Sequence, residues 1–287
     1  MSFSSVFRNL GNLILWGVAP LLLGWALSLK VAPQPAVGII RIDTDIWFGS
    51  TALIMMQIQE ARENPAIQAV VVQVDSGGGE VVASQTLYLE LQRLRRQMPV
   101  VGSIDSVAAS GAYYAVLAAE PIYAKPSSII GNVGAWAFVP PEVTVNEVVL
   151  ASGPFKLTAS NRAEFMRELE GIKQDFLATV FSQRGRRLEL SAPELAQGLA
   201  YSGREAARLG LIDRVGSQSE AIALAAEQAG LANYEVIDLQ VSVLEEFLAN
   251  NPQFAASWPG AADPMTGKRN LSPGIYLLYD SQLRGAP

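Results

Sequence analysis

The stretch AVVVQVDSGGGEVVAS, residues 69–84, decides the fold class of this chain. Its first half, residues 69–76, is a continuous Val-rich run, which is typical of a strand buried on both faces of a parallel sheet. A glycine turn follows, and residues 80–97 carry apolar side chains at helical spacing. A buried strand that passes through a tight turn into a helix is half of a βαβ unit, so the stretch predicts an α/β protein.

Strands and helices alternate along the rest of the chain. The other predicted strands are residues 37–43, 100–107 and 121–125, and the other predicted helices are residues 50–64, 110–120, about 160–187 and a helix that begins after Ser191. Ser50 is the predicted N-cap of the first of these helices, and Pro65 is the stop behind it. This alternation predicts right-handed crossovers and a largely parallel sheet.

An apolar run without charge, from Leu10 to Leu29, precedes these units. About 20 helical residues extend roughly 30 Å, the thickness of a bilayer core, so the run predicts one transmembrane helix. A cleaved signal peptide is the alternative, because Ala26-Leu27-Ser28 resembles a small-residue cleavage site. We favour an uncleaved anchor because the run is longer than the apolar core of a usual signal peptide.

Composition changes divide the chain into three parts. Residues 1–36 are the predicted membrane anchor and spacer, residues 37–240 the predicted folded domain, and residues 241–287 a predicted extended tail. The end of the chain is rich in Pro, Gly, Asn and Ser, except for the apolar segment GIYLLY at residues 274–279.

Two missing residue types restrict the possible chemistry, because the 287 residues include no Cys and no His. Disulfides, thiolate nucleophiles and Cys-ligated zinc are excluded, and so are His-ligated zinc, the Ser-His-Asp triad and an imidazole base. The formal net charge of −6 argues against a nucleic-acid partner. We predict no metal site and no cofactor, and catalysis by hydroxyl, amine, guanidinium or carboxylate groups.

Two turns of small residues follow predicted strands. Residues 75–80 contain three consecutive glycines, whose N–H groups can converge on a phosphate or an oxyanion; a tight turn without chemistry is the alternative. Ser110 stands at the start of a predicted helix with Gly111 behind it, where the helix N-terminus would stabilise an oxyanion. A plain N-cap is the alternative for Ser110. Because functional sites lie at the ends of parallel strands, two such turns together favour a catalytic role.

A nucleophilic serine needs a base, and the lysines are the candidates in a chain without His. Lys156 lies between Phe155 and Leu157, and apolar surroundings favour the uncharged amine that a general base requires. The other four lysines lie at the membrane edge, in a loop before a proline, on a charged helix and in the tail: Lys30, Lys125, Lys173 and Lys268. Elimination therefore favours Lys156 as the base.

Four segments, in this order, are similar to the SppA family of signal peptide peptidases, which are Ser/Lys enzymes with the ClpP/crotonase fold. They are residues 69–84, SVAASGAYYAVLAAEPIYAKPSSIIGNVGA at 106–135, ASGPFKLTASNR at 151–162 and YSGREAARLGLIDRVG at 201–216. The resemblance covers residues 37–239. It implies a ClpP/crotonase-like α/β fold of repeated ββα/βαβ units with a largely parallel sheet, behind one N-terminal transmembrane helix.

The resemblance also implies roles for individual residues. Ser110 is the implied nucleophile and Lys156 the implied general base, while the implied oxyanion hole consists of the N–H groups of Gly78, Gly79 and Gly111. Gly77 replaces the proline that is usual in the family. Asn132 replaces a serine thought to orient the lysine, and its amide oxygen can accept a hydrogen bond from the amine.

The implied function is that of a membrane-anchored serine endopeptidase that cleaves leftover signal peptides or other short hydrophobic peptides. The family forms homo-oligomeric rings in which serine and lysine meet across a subunit boundary, and its catalytic domain lies outside the cytoplasm. We therefore expect a single-pass protein of the cell membrane. Two alternatives stay open: an inactive oligomeric membrane scaffold, which the changes at Gly77 and Asn132 favour, and an acyl-CoA enzyme, which the apolar N-terminus disfavours.

Overall fold

The computed structural model describes residues 14–18, 20–22, 34–138, 152–153, 155–250 and 275–278. The predicted transmembrane helix lies mostly outside these residues, and the part of it from Ile14 to Val18 forms a π-helical turn. Among the helices of the described ranges, none combines the length and the apolar character needed to cross a bilayer.

The secondary structure follows the alternation predicted from the sequence. The strands of the described part are β1 (Ala36–Ile42), β2 (Ile67–Ser76), β3 (Gly78–Glu80), β4 (Val100–Ala109), β5 (Ile122–Ala124), β6 (Ile129–Gly131), β7 (Trp136–Ala137), β8 (Ala200–Ser202), β9 (Arg214–Val215), β10 (Glu235–Asp238) and β11 (Ile275–Leu278). The helices are α1 (Phe48–Glu63), α2 (Val81–Arg95), α3 (Gly111–Val116), α4 (Arg162–Arg184), α5 (Ala192–Leu195), α6 (Gly203–Arg208), α7 (Gln218–Gln228) and α8 (Leu239–Asn250).

The main sheet has the strand order β10-β1-β2-β4-β5-β9, and every neighbouring pair in this order is parallel. β6 continues beside β4 in the parallel direction, and β8 pairs with β6 in the antiparallel direction. The predicted α/β class with a mainly parallel sheet is therefore confirmed. A second, small sheet has the order β3-β11-β7.

Helices cover both faces of the main sheet, which explains why its strands are apolar throughout. Val70, Val72 and Val74 of β2 point into the larger core, and Ala69 and Val71 into a smaller core under α7. These five side chains are fully buried. The sheet consequently holds the carboxyl ends of β2 and β4, where the two small-residue turns begin, on a rigid support.

Two helix boundaries differ from the sequence prediction. α1 begins at Phe48 rather than behind Ser50, because the Ser50 hydroxyl accepts the N–H of Trp47 at 3.0 Å and donates to the carbonyl of Asp45 at 2.7 Å. α3 ends at Val116 instead of continuing to residue 120, because the chain turns back and the Glu120 N–H donates to the carbonyl of Val100 at 2.9 Å.

The segment predicted as an extended tail is not extended at its start. α8, from Leu239 to Asn250, packs on α1 and β1, with Leu239 and Val243 buried. Further along, β11 joins the small sheet. The folded part of the chain thus continues beyond residue 240.

A buried ion pair fixes the end of α4 to the main sheet. The Arg184 guanidinium, 2% exposed, donates to both carboxylate oxygens of Asp213 at 3.0 and 2.9 Å and to the carbonyl of Gly210 at 2.7 Å. Burial alone would raise the pKa of Asp213, but the hydrogen bonds and charge of Arg184, the Ile122 N–H and the charge of Arg187 together hold that pKa below its usual value. The pair therefore stabilises the fold while the carboxylate is ionised.

Asp213→Asn is expected to lower the free energy of unfolding at pH 7 by about 3 kcal/mol, because it leaves the buried Arg184 without a counter-charge. Since the folded pKa is lowered, this contribution is complete above the unfolded pKa of about 3.9 and is lost progressively as the pH falls from there through the lowered folded pKa. Urea unfolding at pH 7 and again below pH 4 measures both effects. Glu205→Gln, which breaks an exposed ion pair with Arg208, is the control and should leave the midpoint unchanged. An equal loss in both variants would contradict the prediction.

Candidate active site

The two predicted turns lie side by side in the structure. Ser76, at the end of β2, is in register with Ala108 near the end of β4. The Asp75 carboxylate accepts the N–H of Val107 at 3.1 Å, which ties the two strand ends together. β3 also contacts α3, the helix that follows Ser110. The glycine turn and the serine turn therefore form one site at the carboxyl edge of the sheet.

Ser110 connects β4 to α3 in a strained conformation. Its φ of 52° and ψ of −123° lie in a region that residues with a side chain rarely adopt, at a cost of about 1–3 kcal/mol. Its N–H donates to the carbonyl of Gly131 at 2.8 Å, its own carbonyl accepts the N–H of Tyr114 at 2.9 Å, and its hydroxyl does not cap the helix. The plain N-cap role is thereby excluded. A sharp strand-to-helix turn of this kind presents the nucleophilic serine in enzymes with the α/β-hydrolase fold.

The predicted oxyanion-hole glycines lie in β3 and at the start of α3, the helix that follows this serine and that β3 contacts. Gly111 is the first residue of α3, a position whose N–H has no acceptor within the helix. Gly79 lies very close to Ile46, which follows β1 in the chain. An added Cβ at Gly79 would lie 1.8 Å from the carbonyl oxygen of Ile46, so only glycine fits there. The Gly78 N–H donates to the Ser76 hydroxyl at 3.2 Å.

Asn132 is joined to the serine turn through its neighbour Gly131, whose carbonyl holds the Ser110 N–H. The Asn132 backbone is in the left-handed region, with φ 52°, and its N–H donates to the carbonyl of Leu199 at 2.8 Å. Its side-chain nitrogen donates to the carbonyl of Gly198, also at 2.8 Å. With the nitrogen engaged in this way, the amide oxygen is the atom left to accept a hydrogen bond from an amine.

A buried tyrosine anchors the helix behind the nucleophile. The Tyr113 hydroxyl donates to the carbonyl of Leu211 at 2.7 Å. Burial raises the pKa of Tyr113 far above its usual value, so the phenol stays protonated and acts only as a donor. Tyr113 therefore positions α3 and is not a candidate acid or base.

Lys156 lies in an exposed turn, residues 155–158, that precedes α4. Its own N–H donates to the carbonyl of Gly153 at 3.2 Å, and its side chain has no ion pair with another described residue. Phe155 and Leu157 on either side are 45% and 56% exposed. The apolar surroundings predicted for the lysine are thus not supplied by the described residues of a single chain.

The structure removes two of the competing lysines. Lys125 forms an ion pair with Asp105, and Lys173 forms one with Glu170 at 2.7 Å. The hydrogen bond from Lys173, followed by one from Gln174, lowers the pKa of Glu170, so this partner stays ionised at neutral pH. Both amines are therefore engaged by carboxylates within the described part of the chain. Lys30 and Lys268 lie outside the described residues.

Sequence reasoning missed two groups that shape the site. The backbone of Ile46 pairs with β3. The Ile46 N–H donates to the carbonyl of Gly78, and the Ile46 carbonyl accepts the N–H of Glu80, each at 2.8 Å. Ser76 supplies the acceptor for Gly78. The run of three glycines was the signal for a close backbone approach, but the sequence does not show which strand makes it.

The site combines a strained serine with backbone donors, an arrangement suited to acyl transfer. The model of peptidase family S49 matches residues 92–141 and 143–232. A relative from Synechocystis sp. named "Putative protease" is 30% identical over 216 residues, which are 70% of this chain and 77% of that protein. This chain belongs to peptidase family S49, the SppA family.

Further relatives of the S49 family carry protease names. The chloroplastic serine protease SPPA of Arabidopsis thaliana is 31% identical over 61% of this chain and 28% of its own length. A protein of Enterococcus faecium named "Putative signal peptide peptidase SppA" is 24% identical over 72% of this chain and 62% of its own length. The chain thus spans less than two thirds of these two relatives. Together with the family assignment, they support protease activity.

Proposed function

We propose that this protein is a serine endopeptidase that uses Ser110 as nucleophile and Lys156 as general base. The observation that carries the proposal is the strained backbone conformation of Ser110. This residue lies at a buried strand end, and the helix that follows it contacts the glycine-containing strand β3. Backbone strain of this size is typical of functional positions. Lys156 is supported by elimination, since Lys125 and Lys173 are ion-paired.

In the proposed reaction, the neutral Lys156 amine takes the proton of Ser110 as Oγ attacks the peptide carbonyl. The N–H groups of Gly79 and Gly111 stabilise the oxyanion of the tetrahedral intermediate, and Asn132 orients the lysine through its amide oxygen. The protonated amine then gives its proton to the leaving nitrogen, which produces an acyl-enzyme. Water, activated by the same amine, hydrolyses the ester and restores Ser110.

The active unit in this proposal is a homo-oligomeric ring in which Lys156 of one subunit reaches Ser110 of its neighbour. The exposed Phe155, Lys156 and Leu157 support this arrangement, because a subunit boundary would bury the lysine among apolar groups. The proposed substrates are leftover signal peptides and other short hydrophobic peptides. We place the chain at the cell membrane, anchored through residues 10–29, with the peptidase domain outside the cytoplasm.

Labelling with a serine-reactive fluorophosphonate probe tests the nucleophile without assuming a substrate. We expect the wild type to be labelled and peptide mapping to place the adduct on Ser110, while Ser110→Ala stays unlabelled. Ser128→Ala, which changes another buried serine of the same edge of the sheet, should be labelled like the wild type. Absence of labelling at every pH at which the chain stays folded would favour the inactive scaffold.

A further inference from the structure

β4 contains two extra residues shortly before the proposed nucleophile. Val74 of β2 pairs with Ile104 of β4, and the next pair is Ser76 with Ala108. Between these pairs β2 advances by two residues and β4 by four, so part of the segment 105–107 is bulged out against β2. Bulges of this kind are frequent next to active sites, where they change the direction of a side chain.

The bulge decides which part of the glycine strand Ser110 reaches. Counted forward from the pair after the bulge, the residue level with Ser110 is Gly78, at the start of β3. The register of the earlier pairs would bring Ser110 level with Glu80 instead, a difference of about 7 Å along a strand. A nucleophile and its oxyanion donors must meet at one carbonyl group, about 3 Å from each. A displacement of two residues would therefore separate them.

The Asp75 side chain holds the bulge on the side of β2. Its carboxylate accepts the N–H of Val107 at 3.1 Å. Asp75 lies between the two β2 residues that pair with β4 before and after the bulge, so this hydrogen bond replaces the strand pairing that is interrupted there. Hydrogen bonds to an ionised acceptor are stronger than those between neutral groups. The bond thus fixes the extra residues at the point from which the chain leads into Ser110.

A second set of contacts holds the bulge on its other side, toward β5 and β6. The Ser128 hydroxyl donates to the carbonyl of Asp105 at 2.7 Å, and the Asp105 carboxylate forms an ion pair with Lys125. These contacts connect β4 to the loop between β5 and β6. They stabilise the bulge without setting the register between β4 and the glycine strand, so Ser128 offers a matched control for Asp75.

We propose that Asp75 is a positioning residue of the peptidase, whose carboxylate holds the bulge of β4 and thereby keeps Ser110 beside the oxyanion donor Gly79. The inference rests on the proposed peptidase function, because it takes Ser110 as the nucleophile. Asp75 acts through the backbone of β4 and exchanges no proton with the substrate. An uncharged acceptor of the same shape can therefore replace it, whereas a side chain without an acceptor cannot.

Steady-state cleavage of a fluorogenic apolar peptide by the full-length chain tests this role. Asp75→Ala should lower kcat about 100-fold with KM near the wild-type value, because a misplacement of about 1 Å costs this much. Asp75→Asn keeps an oxygen acceptor at the same position and should restore most of kcat, with an unchanged pH profile. Wild-type kcat in Asp75→Ala, or equal losses in the Ala and Asn variants, would overturn the proposal.

Ser128→Ala separates positioning of the nucleophile from a general loosening of the strand. It removes the hydrogen bond on the other side of the bulge and should lower the urea midpoint, while kcat stays at the wild-type value. Asp75→Glu covers the case in which Asp75→Ala does not fold, because it keeps the carboxylate but lengthens the side chain by one methylene. We expect it to fold with kcat lowered about tenfold or more. Wild-type kcat in Asp75→Glu, or a loss in Ser128→Ala as large as in the Asp75 variants, would contradict the assignment.

Amide hydrogen exchange follows the bulge without turnover. In full-length Ser110→Ala, the Val107 amide should exchange slowly; adding Asp75→Ala should speed it about tenfold or more, and adding Asp75→Asn should not. The amide of Val71, in the middle of β2, is the reference. Unchanged Val107 exchange in the Asp75→Ala chain would overturn the positioning role. Exchange that responds to Asp75 in a protein whose wild type cleaves no peptide would instead contradict the proposed peptidase function alone.

Discussion

Ser110→Ala is expected to lower kcat/KM for peptide cleavage by at least about 10⁴-fold, because no other group can form the acyl-enzyme. The Cβ atom and the strained backbone remain in this variant, so only the hydroxyl is lost. Substrate binding by the glycine strand does not involve that hydroxyl, and KM for the residual activity should stay near the wild-type value. Steady-state kinetics on a fluorogenic peptide measure both constants.

Two companion variants separate chemistry from folding. Ser103→Ala changes a serine of the same strand β4 that is 4% exposed, and it should retain wild-type kinetics. Ser110→Gly removes the hydroxyl together with the side chain that makes a φ of 52° costly, so it should be inactive and at least as stable as the wild type. Activity in either variant of residue 110 within tenfold of the wild type would remove that serine from the mechanism.

The fold was predictable because its main signals are local. The Val-rich run of β2 and the glycines behind it specify a buried strand and a tight turn within a few residues, and the structure contains both. The capping-box signal at Ser191 and Glu194 also specifies a helix start, and α5 begins there. The error at the start of α1 had an equally local cause: the Ser50 hydroxyl bonds backward to Asp45 and Trp47 instead of capping the helix at its own position.

The parts of the site that escaped prediction depend on contacts between distant segments. β3 and β11 are strands of three and four residues, too short to show a period of two, and the residues that pair are separated by about two thirds of the chain. The ion pair of Arg184 with Asp213 likewise joins the end of α4 to the residue that directly precedes β9. For Lys156 the sequence shows apolar neighbours but not whether a second surface covers them.

Lys156→Ala is expected to lower kcat/KM by at least about 10³-fold, because Ser110 then lacks a proton acceptor. Lys156→Arg should be equally inactive, since a guanidinium keeps its proton at every usable pH. Added small primary amines should restore part of the activity of Lys156→Ala and none of that of Ser110→Ala. Lys173→Ala, which changes a lysine already paired with Glu170, should leave the kinetics unchanged. Wild-type activity in Lys156→Arg would show that the site needs a positive charge rather than a base.

Mixing the inactive Ser110→Ala and Lys156→Ala chains shows whether the catalytic lysine belongs to the same subunit as the serine or to a neighbouring subunit. In a ring assembled from equal amounts of Ser110→Ala and Lys156→Ala, about a quarter of the boundaries join an intact Ser110 to an intact Lys156 of the next subunit. We therefore expect about a quarter of the wild-type activity after joint refolding, and none from either chain alone. If serine and lysine met within one subunit, the mixture would stay inactive, because each chain lacks one of the two groups. The exposed turn that carries Lys156 favours the first result, since a single chain leaves its apolar neighbours in solvent.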